Sequence, residues 1–268
     1  MNIKSIVNNL ISPHKIPLKI INKLSFLLKK NNYKYELFNN EQNIIFKYFN
    51  LDREIGLHKL LMLKKKEPIL NRNMSSEHEV FFSSLATSGK KIHSILEIGT
   101  FDGINSFLLS KLFRDAQIET IDLSSDTDDF KKFYNRGHRL NDFINSRNVI
   151  LSKGDRIFFK EMNSINLYNS NKKFDLVWID GAHGYPVVCI DIINSLRLLN
   201  DNGIIMCDDI YINDIVLDKM YNSTAAFETL NELAKEKIIE YKLIYKRLDS
   251  ENNCDKKNRK FIGVFRKI

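Results

Sequence analysis

Cysteine, proline and tryptophan are scarce in this sequence of 268 residues, which contains 3, 4 and 1 of them. Cys189, Cys207 and Cys254 show neither a paired nor a metal-type spacing, which excludes a disulfide framework and a cysteine-rich zinc site. No apolar run approaches the ~20 residues that a membrane span needs, and the N-terminus shows no cleavable signal pattern. We therefore expect a cytoplasmic protein.

Basic residues are distributed unevenly along the chain, whose formal net charge is +8. Residues 1–75 hold 14 Lys and Arg against 5 Asp and Glu, whereas the remaining residues hold 27 against 28. The excess of positive charge therefore belongs to the N-terminal quarter. A domain that binds nucleic acid through its main sheet would carry the charge there, so we do not expect a nucleic acid as partner.

The N-terminal residues 1–74 show helical periodicity and predict a helical, basic extension that precedes a domain at residues 75–268. Within the extension, residues 16–30 ("IPLKIINKLSFLLKK") predict a basic amphipathic helix. Such a helix can bind peripherally to an anionic membrane. Packing of this helix on the domain, or on a second copy in a homo-oligomer, is the interpretation that we favour.

The sequence after Ser75 alternates between strand and helix patterns, which predicts an α/β fold. We expect a doubly wound, seven-stranded, mostly parallel sheet that ends in an antiparallel β-hairpin. The predicted strands are, in order, "SILEIGT", "QIETIDLS", "NVILSKGD", "FDLVWID", "GIIMCDDIY", "EYKLIYKRL" and "KFIGVFRKI".

Polar residues gather where the first three predicted strands end. Gly99 and Gly103 lie in a tight strand-to-helix turn, "EIGTFDGINS", in which glycine permits positive φ. The middle glycine of a dinucleotide-binding loop is absent, and Glu97 would repel a pyrophosphate but suit a cationic ligand. Asp122 ends the second strand, where an acid can bind ribose hydroxyls. Asp155 ends the third predicted strand, where a carboxylate can reach an adenine amino group.

A second group of acids follows the fourth and fifth predicted strands. Asp180 ends the fourth strand, Asp208 and Asp209 end the fifth, and paired strands lie about 4.8 Å apart. Three carboxylates at one edge repel each other unless a cation lies between them, and oxygen ligands without nearby cysteine indicate Mg²⁺ or a similar divalent cation. Since consecutive strand residues face opposite ways, Asp208 and Asp209 can share one metal only if the chain turns there.

His183 follows Asp180 at the start of the next loop. An imidazole with a pKa near neutrality can remove the proton of a hydroxyl that a metal has made more acidic. Capping of the following helix, or a hydrogen bond to a backbone carbonyl, is the alternative role of this side chain.

These spaced motifs, carried by "LEIGTFDG", "IETIDLS", "KGD", "FDLVWIDGAHGY" and "GIIMCDDIY", resemble those of class I S-adenosylmethionine-dependent methyltransferases. The resemblance covers roughly residues 75–268 and implies a Rossmann-like sheet. It also implies a set of cofactor contacts: Glu97, Gly99, Thr100 and Gly103 for the methionine part, Asp122 for the ribose and, more loosely, Asp155 for the adenine.

Within that class, the strand-end acids and the "DGAH" motif resemble the metal-dependent O-methyltransferases, in particular those that act on sugars of natural products. The resemblance implies Mg²⁺ bound by Asp180, Asp208 and Asp209. It implies His183 as the general base that takes the proton of an acceptor hydroxyl. The implied acceptor is a saccharide or another natural-product hydroxyl.

Three other functions stay open on the sequence. A methyltransferase that needs no metal could act on nitrogen or oxygen of a small molecule. A nicotinamide-dependent oxidoreductase is disfavoured by Glu97 and by the absent glycine. The third is a non-enzymatic protein whose basic N-terminal segment binds a membrane or a partner while the sheet serves as scaffold.

Overall fold

The computed structural model of the chain describes residues 35–71, 76–133, 139–213, 223–248 and 259–268. The predicted amphipathic helix at residues 16–30 lies outside them. None of the helices within these ranges is both long and apolar enough to cross a membrane.

The described helices and strands alternate through most of the chain. The helices are α1 (Tyr35–Tyr48), α2 (Arg53–Lys66), α3 (Glu77–Thr87), α4 (Ile104–Leu112), α5 (Asp128–Phe133), α6 (Leu140–Leu151), α7 (Val187–Leu198) and α8 (Ala225–Lys235). The strands are β1 (Ser94–Ile98), β2 (Gln117–Asp122), β3 (Ile157–Glu161), β4 (Phe174–Ile179), β5 (Leu199–Ile210), β6 (Ile239–Tyr245) and β7 (Phe261–Lys267). Short 3₁₀ turns occur at Pro68–Leu70 and Ser164–Asn169.

All seven strands join in one sheet with the order β3-β2-β1-β4-β5-β7-β6. The first five strands are parallel, and β7 pairs antiparallel with both β5 and β6. The predicted doubly wound, Rossmann-like, mostly parallel sheet with a C-terminal hairpin is therefore confirmed. The strand order reverses between β1 and β4, which is where such sheets bind ligands at the carboxyl ends of their strands.

The third strand lies later in the sequence than "NVILSKGD" predicted. The residues of its apolar run are the end of α6, in which Arg147, Ile150 and Leu151 are buried and Val149 is exposed, as helical spacing requires. A short apolar run cannot by itself distinguish a buried strand from the last turn of a helix. As a consequence, Asp155 precedes β3 and lies at the strand's amino end.

Hydrophobic clusters cover both faces of the sheet. On one face, Phe46 of α1 and Leu60 of α2 belong to the same buried cluster as Trp178 of β4. On the other face, α7 and α8 cover the sheet with residues such as Ile192 and Leu230. The two N-terminal helices therefore contribute to the core of the sheet. The predicted domain boundary at residues 74 and 75 stays a prediction.

A buried polar network also ties these helices to the sheet. Glu77 at the start of α3 forms a salt bridge with Arg53 of α2, with Nε and Oε2 2.7 Å apart. Gln42 of α1 donates from Nε2 to the carbonyl of Tyr245 at 3.2 Å, and its Oε1 accepts from the Tyr245 N–H at 2.9 Å. The backbone N–H of Glu77 donates to the carbonyl of Lys246 at 2.9 Å. The end of β6 is thus held by bonds from α1 and α3.

Candidate active site

The glycine loop joins β1 to α4 at the point where the strand order reverses. Gly99 and Gly103 have φ values of +97° and +77°, which confirms the predicted positive φ. A Cβ on Gly99 would lie 2.3 Å from the carbonyl oxygen of Asp180, and one on Gly103 would lie 2.9 Å from Cδ2 of Leu151. Gly103 is therefore favoured by its positive φ, whereas Gly99 is required by its φ and by backbone packing, which lets the loops after β1 and β4 touch.

Glu97 is fully buried beneath this loop and is held by neighbouring side chains. Its carboxylate accepts hydrogen bonds from Asn105 Nδ2 at 2.8 Å, from Thr120 Oγ1 at 2.6 Å and from the hydroxyl of Ser106. Thr100 is also buried, and its hydroxyl lies 2.7 Å from that of Thr120. In this arrangement Glu97 and Thr100 join the first turn of α4 to β2, and they shape the loop without reaching its surface.

Sequence reasoning did not identify Asn105 and Ser106 as part of this network. The signal was available, because "GINS" places an amide and a hydroxyl in the first turn of the helix after the loop. Side chains at that position can turn back to the acid that ends the preceding strand.

Asp122 lies at the carboxyl end of β2 beside the glycine loop, with 8% of its surface exposed. Its Oδ2 accepts the N–H of Phe101 at 2.9 Å, and its Oδ1 accepts the N–H of Leu123 at 2.8 Å. Burial raises the pKa of this carboxyl, and the two amides and the positive charge of Arg147 oppose the rise. Each carboxylate oxygen has a second lone pair, so the group retains capacity to accept hydrogen bonds from ribose hydroxyls.

Asp155, the predicted adenine contact, is not brought to this edge. It is exposed and precedes β3, whereas the site is built at the carboxyl ends of the strands. The segment next to Asp122 is the end of β3, where the N–H of Met162 donates to the carbonyl of Asp122 at 2.7 Å. Glu161 accepts there from the hydroxyl of Ser124 at 2.9 Å. The placement of Asp155 was wrong because the position of the third strand was wrong.

Asp180, Asp208 and Asp209, which we call the carboxylate cluster, meet at the ends of β4 and β5. Asp209 has a φ of +53°, and the pairing of β5 with β7 shifts register between Cys207 and Ile210. This bulge breaks the alternation of the strand, so the carboxylates of Asp208 and Asp209 reach the same atom, Nζ of Lys246. The condition set for these two acids, that the chain turns at them, is met by this bulge.

Two lysines from the hairpin neutralise this cluster. Lys246 directly follows β6, and its Nζ lies 2.6 Å from Asp208 Oδ2 and also contacts Asp209 Oδ1. Lys260 directly precedes β7, and its Nζ lies 2.7 Å from Asp209 Oδ2 and 5.3 Å from the ring centre of Tyr211. Sequence reasoning missed both lysines. The only signal was their position beside hairpin strands that pair next to β5.

The charged groups at the cluster shift one another's pKa values. Burial acts to lower the pKa of Lys246, but the carboxylates of Asp208 and Asp209 outweigh it and raise that pKa, so the ammonium group stays charged. Burial acts to raise the pKa of Asp209, but Lys246, His183 and Lys260 hold it below its ordinary value. Desolvation and the neighbouring Asp208 raise the pKa of Asp180 well above its ordinary value.

The cluster in this arrangement does not fit the divalent cation that the sequence predicted. An ammonium nitrogen already lies within hydrogen-bonding distance of two of the three predicted ligands, Asp208 and Asp209. Throughout the residues that the structure describes, no group of three or more His, Cys, Asp or Glu side chains is placed to hold a metal ion. A divalent ion would need oxygen ligands at about 2.1–2.5 Å, on the side of the acids that Lys246 faces.

His183 lies beside the carboxylate cluster on the loop after β4. Its Nε2 is 3.8 Å from Asp180 Oδ1 and 4.0 Å from Asp209 Oδ2, and 14% of its side chain is exposed. Burial lowers the pKa of the imidazole, although Asp209 and Asp208 oppose this effect. A neutral imidazole that is open on one side and faces two acids can accept a proton from a bound hydroxyl.

Residues 96–210 match a protein-family model described as a methyltransferase domain. This segment of the chain is similar to a methyltransferase domain. The matched segment contains the glycine loop, Asp122, His183 and the carboxylate cluster, and it ends before Lys246 and Lys260. The resemblance of the sequence motifs to class I S-adenosylmethionine-dependent methyltransferases is thereby confirmed.

Solved structures share the fold of this chain. The O-methyltransferase TomG of Streptomyces achromogenes is 15% identical, with a TM-score of 0.52 over 87% of this chain and 98% of that chain. An O-methyltransferase of Bacillus cereus is also 15% identical, with a TM-score of 0.52 over 87% of this chain and 100% of that chain. No sequence among the curated proteins matches the chain. At this identity the structural likeness shows the common fold.

Proposed function

We propose that this methyltransferase domain transfers the methyl group of S-adenosylmethionine to a hydroxyl group of a saccharide or natural-product acceptor. The observation that carries the proposal is the position of His183, within 4.0 Å of Asp180 and Asp209 at the edge where the glycine loop also lies. The fold is shared with TomG, which is an O-methyltransferase involved in tomaymycin synthesis and was solved with S-adenosylmethionine. The Bacillus cereus O-methyltransferase was solved with S-adenosylhomocysteine.

The cofactor would lie across the switch point, between the glycine loop and Asp122. Asp122 would accept the ribose hydroxyls, while Gly99 and Gly103 keep the loop backbone in its tight turn. Glu97 and Thr100 would act indirectly by fixing that loop, because their side chains are buried and bonded within the protein. The carboxylates of Glu97 and Asp122 at the glycine loop favour a cationic sulfonium over a pyrophosphate.

The chemical step follows from the position of His183. The acceptor hydroxyl gives its proton to His183 Nε2 while its oxygen attacks the methyl carbon in line. The bond between this carbon and the sulfur breaks, and its electron pair returns to the sulfur, which leaves S-adenosylhomocysteine. Holding the two reactants side by side supplies much of the acceleration, and proton removal contributes about 10²- to 10⁴-fold.

The predicted dependence on Mg²⁺ is the part of this function that the charges at the site do not favour. Lys246 and Lys260 already neutralise Asp208 and Asp209. The metal-independent alternative from the sequence fits these contacts better, and oxygen remains the favoured acceptor atom because an imidazole base suits a hydroxyl.

A calorimetric titration of S-adenosylmethionine into the full chain, without added metal, tests the cofactor. We expect micromolar binding, and about tenfold weaker binding by Asp122→Asn, because that change removes a charged acceptor of two hydroxyl groups. Binding would justify screening sugar and phenolic hydroxyl acceptors with methyl-labelled cofactor. Absence of binding to folded protein, or tight binding of NADH in its place, would contradict the proposed function.

A further inference from the structure

We propose that Lys246 takes the place of a divalent cation at the carboxylate cluster and presents its ammonium group to the acceptor oxygen. The proposal rests on the proposed function and names the residue that would stabilise the reacting oxygen. Its evidence lies in charge, anchoring and donor count at the ends of β5 and β6.

Lysine side chains already offset the charge of the carboxylate cluster. The carboxylate cluster holds three acids, and the ammonium groups of Lys246 and Lys260 lie 2.6 Å and 2.7 Å from oxygens of Asp208 and Asp209. Two ammonium groups supply the same formal charge as one divalent ion. The repulsion that led us to expect a metal is therefore already offset by side chains of the chain itself.

Lys246 is anchored by burial of its side chain and by its backbone hydrogen bonds. Only 13% of the Lys246 side chain is exposed. Its backbone N–H donates to the carbonyl of Lys260 at 3.0 Å, and its carbonyl accepts the N–H of Glu77 at 2.9 Å. Displacing the ammonium group would therefore require a buried side chain to leave a fixed backbone position. It would also take from Asp208 the donor that the described contacts give it, and leave Asp209 with Lys260 alone.

Lys246 has one more N–H donor than its two described contacts use. A lysine ammonium has three N–H groups, and the described contacts with Asp208 and Asp209 use two of them. The third can donate to an acceptor oxygen that also bonds to His183, since both side chains contact Asp209. As His183 removes the proton, the charge that develops on the oxygen would be stabilised by this fixed N–H group.

Calorimetry and electron paramagnetic resonance measure Mn²⁺ binding to the full chain and so test whether Lys246 takes the place of the metal. This test does not depend on enzymatic activity. We expect no binding at millimolar Mn²⁺ for the natural protein. Lys246→Met should bind Mn²⁺ on the order of tenfold more tightly or better, because three carboxylates then share only the counter-charge of Lys260. Lys246→Arg keeps the charge and should exclude the ion.

Lys242→Met is the matched control. Lys242 lies on β6, and its Nζ is 4.6 Å from the ring centre of Tyr48, away from the acids. This variant should bind Mn²⁺ as weakly as the natural protein. If Lys246→Met fails to fold, the titration of the natural protein alone decides, because tight Mn²⁺ binding there would overturn the proposal.

Activity gives the second readout. Methyl transfer by the natural protein should be unchanged by a strong chelator and by added Mg²⁺. Lys246→Met should lower kcat about 10²-fold while its affinity for S-adenosylmethionine stays the same. Loss of activity with chelator would overturn the role of Lys246. Failure to bind S-adenosylmethionine would instead reject the proposed function, while the Mn²⁺ titration would still decide whether Lys246 excludes the metal.

Discussion

Two halves of one sheet edge neutralise their acids in different ways. At β1 and β2, Glu97 is surrounded by uncharged donors from Asn105, Ser106 and Thr120. At β4 and β5, the carboxylate cluster is held by the ammonium groups of lysines from the hairpin. The first half is buried and closed, whereas the second is open to solvent at His183 and Asp180.

We infer from this difference that the first half positions the cofactor loop and that the second half takes part in the reaction. Uncharged donors in a buried network hold a carboxylate in one orientation and leave it no role at the surface. Ammonium groups leave donors and charge available at the edge, where an incoming hydroxyl can meet them. We therefore expect changes in the first half to act on cofactor affinity and stability, and changes in the second half to act on kcat.

The largest effect should follow from His183→Ala. Loss of the base should lower kcat about 10²- to 10⁴-fold, while calorimetry shows unchanged affinity for S-adenosylmethionine. His93→Ala is the control, because His93 is exposed and precedes β1 at the opposite edge of the sheet. Equal activity of the two variants would remove His183 from the mechanism.

Gly99→Ala tests the contact between the halves. Its positive φ and a Cβ placed 2.3 Å from the carbonyl oxygen of Asp180 should together lower the free energy of unfolding by about 4 kcal/mol. Gly184→Ala is the matched control, since a Cβ there meets no atom within 4 Å. Denaturant unfolding of both variants measures the difference. Similar midpoints would show that the two loops move apart without loss of stability.

Asp191 is a buried acid that is stabilised neither by a set of uncharged donors, as Glu97 is, nor by lysines, as the carboxylate cluster is. It is fully buried on α7, and neither carboxylate oxygen makes a well-formed hydrogen bond in the described part of the chain. Burial raises its pKa from 3.8 to about 6, and nearby Ser164 opposes the rise only in part. The folded state therefore holds this proton more tightly than the unfolded state does.

The sign of the pH dependence follows from that raised pKa. As pH rises from about 4 to above 6, the natural protein should lose on the order of 3 kcal/mol of stability relative to Asp191→Asn, which cannot ionise. Below pH 4 both states bind the proton and the difference should become constant. Unfolding measured at pH 4 and pH 7 tests this, with Asp201→Asn at an exposed position as control. A pH-independent difference would contradict the raised pKa.

The smallest effect should come from Glu97→Gln. The change keeps the shape of the side chain but leaves at least one of its three donors without an acceptor, at a cost of about 1–3 kcal/mol. Cofactor affinity should fall with stability, whereas kcat at saturating cofactor should change little. Glu232→Gln on the exposed face of α8 is the control. A large fall in kcat with normal affinity would place Glu97 in the chemistry.

The fold could be predicted from the sequence because local patterns carry it. Strands such as "FDLVWID" end in acids, and glycines with positive φ mark the turn after β1. The third strand was misplaced because three apolar residues at the end of α6 have no period of their own. The positions of Asp122 and the carboxylate cluster followed directly from the strands that they end.

The partners of these acids could not be predicted in the same way. Lys246 is 38 positions from Asp208, and Lys260 is 51 positions from Asp209. A sequence pattern shows which edge of a sheet a strand-end acid reaches, but the distant side chain that meets it there is set by the pairing of β5 with β7. The expected metal followed from counting acids without the lysines that face them.

The bond between the Glu77 N–H and the Lys246 carbonyl has a consequence for what counts as the catalytic unit. Sequence similarity covers residues 96–210, yet Lys246, the proposed donor to the acceptor oxygen, lies beyond this segment and is bonded to α3, which precedes the segment. Transplanting the similar segment alone into another protein would carry the acids without their counter-charges. In evolutionary terms, substitutions in the N-terminal helices can be selected for their effect on a reaction, although these helices do not contact the reacting groups.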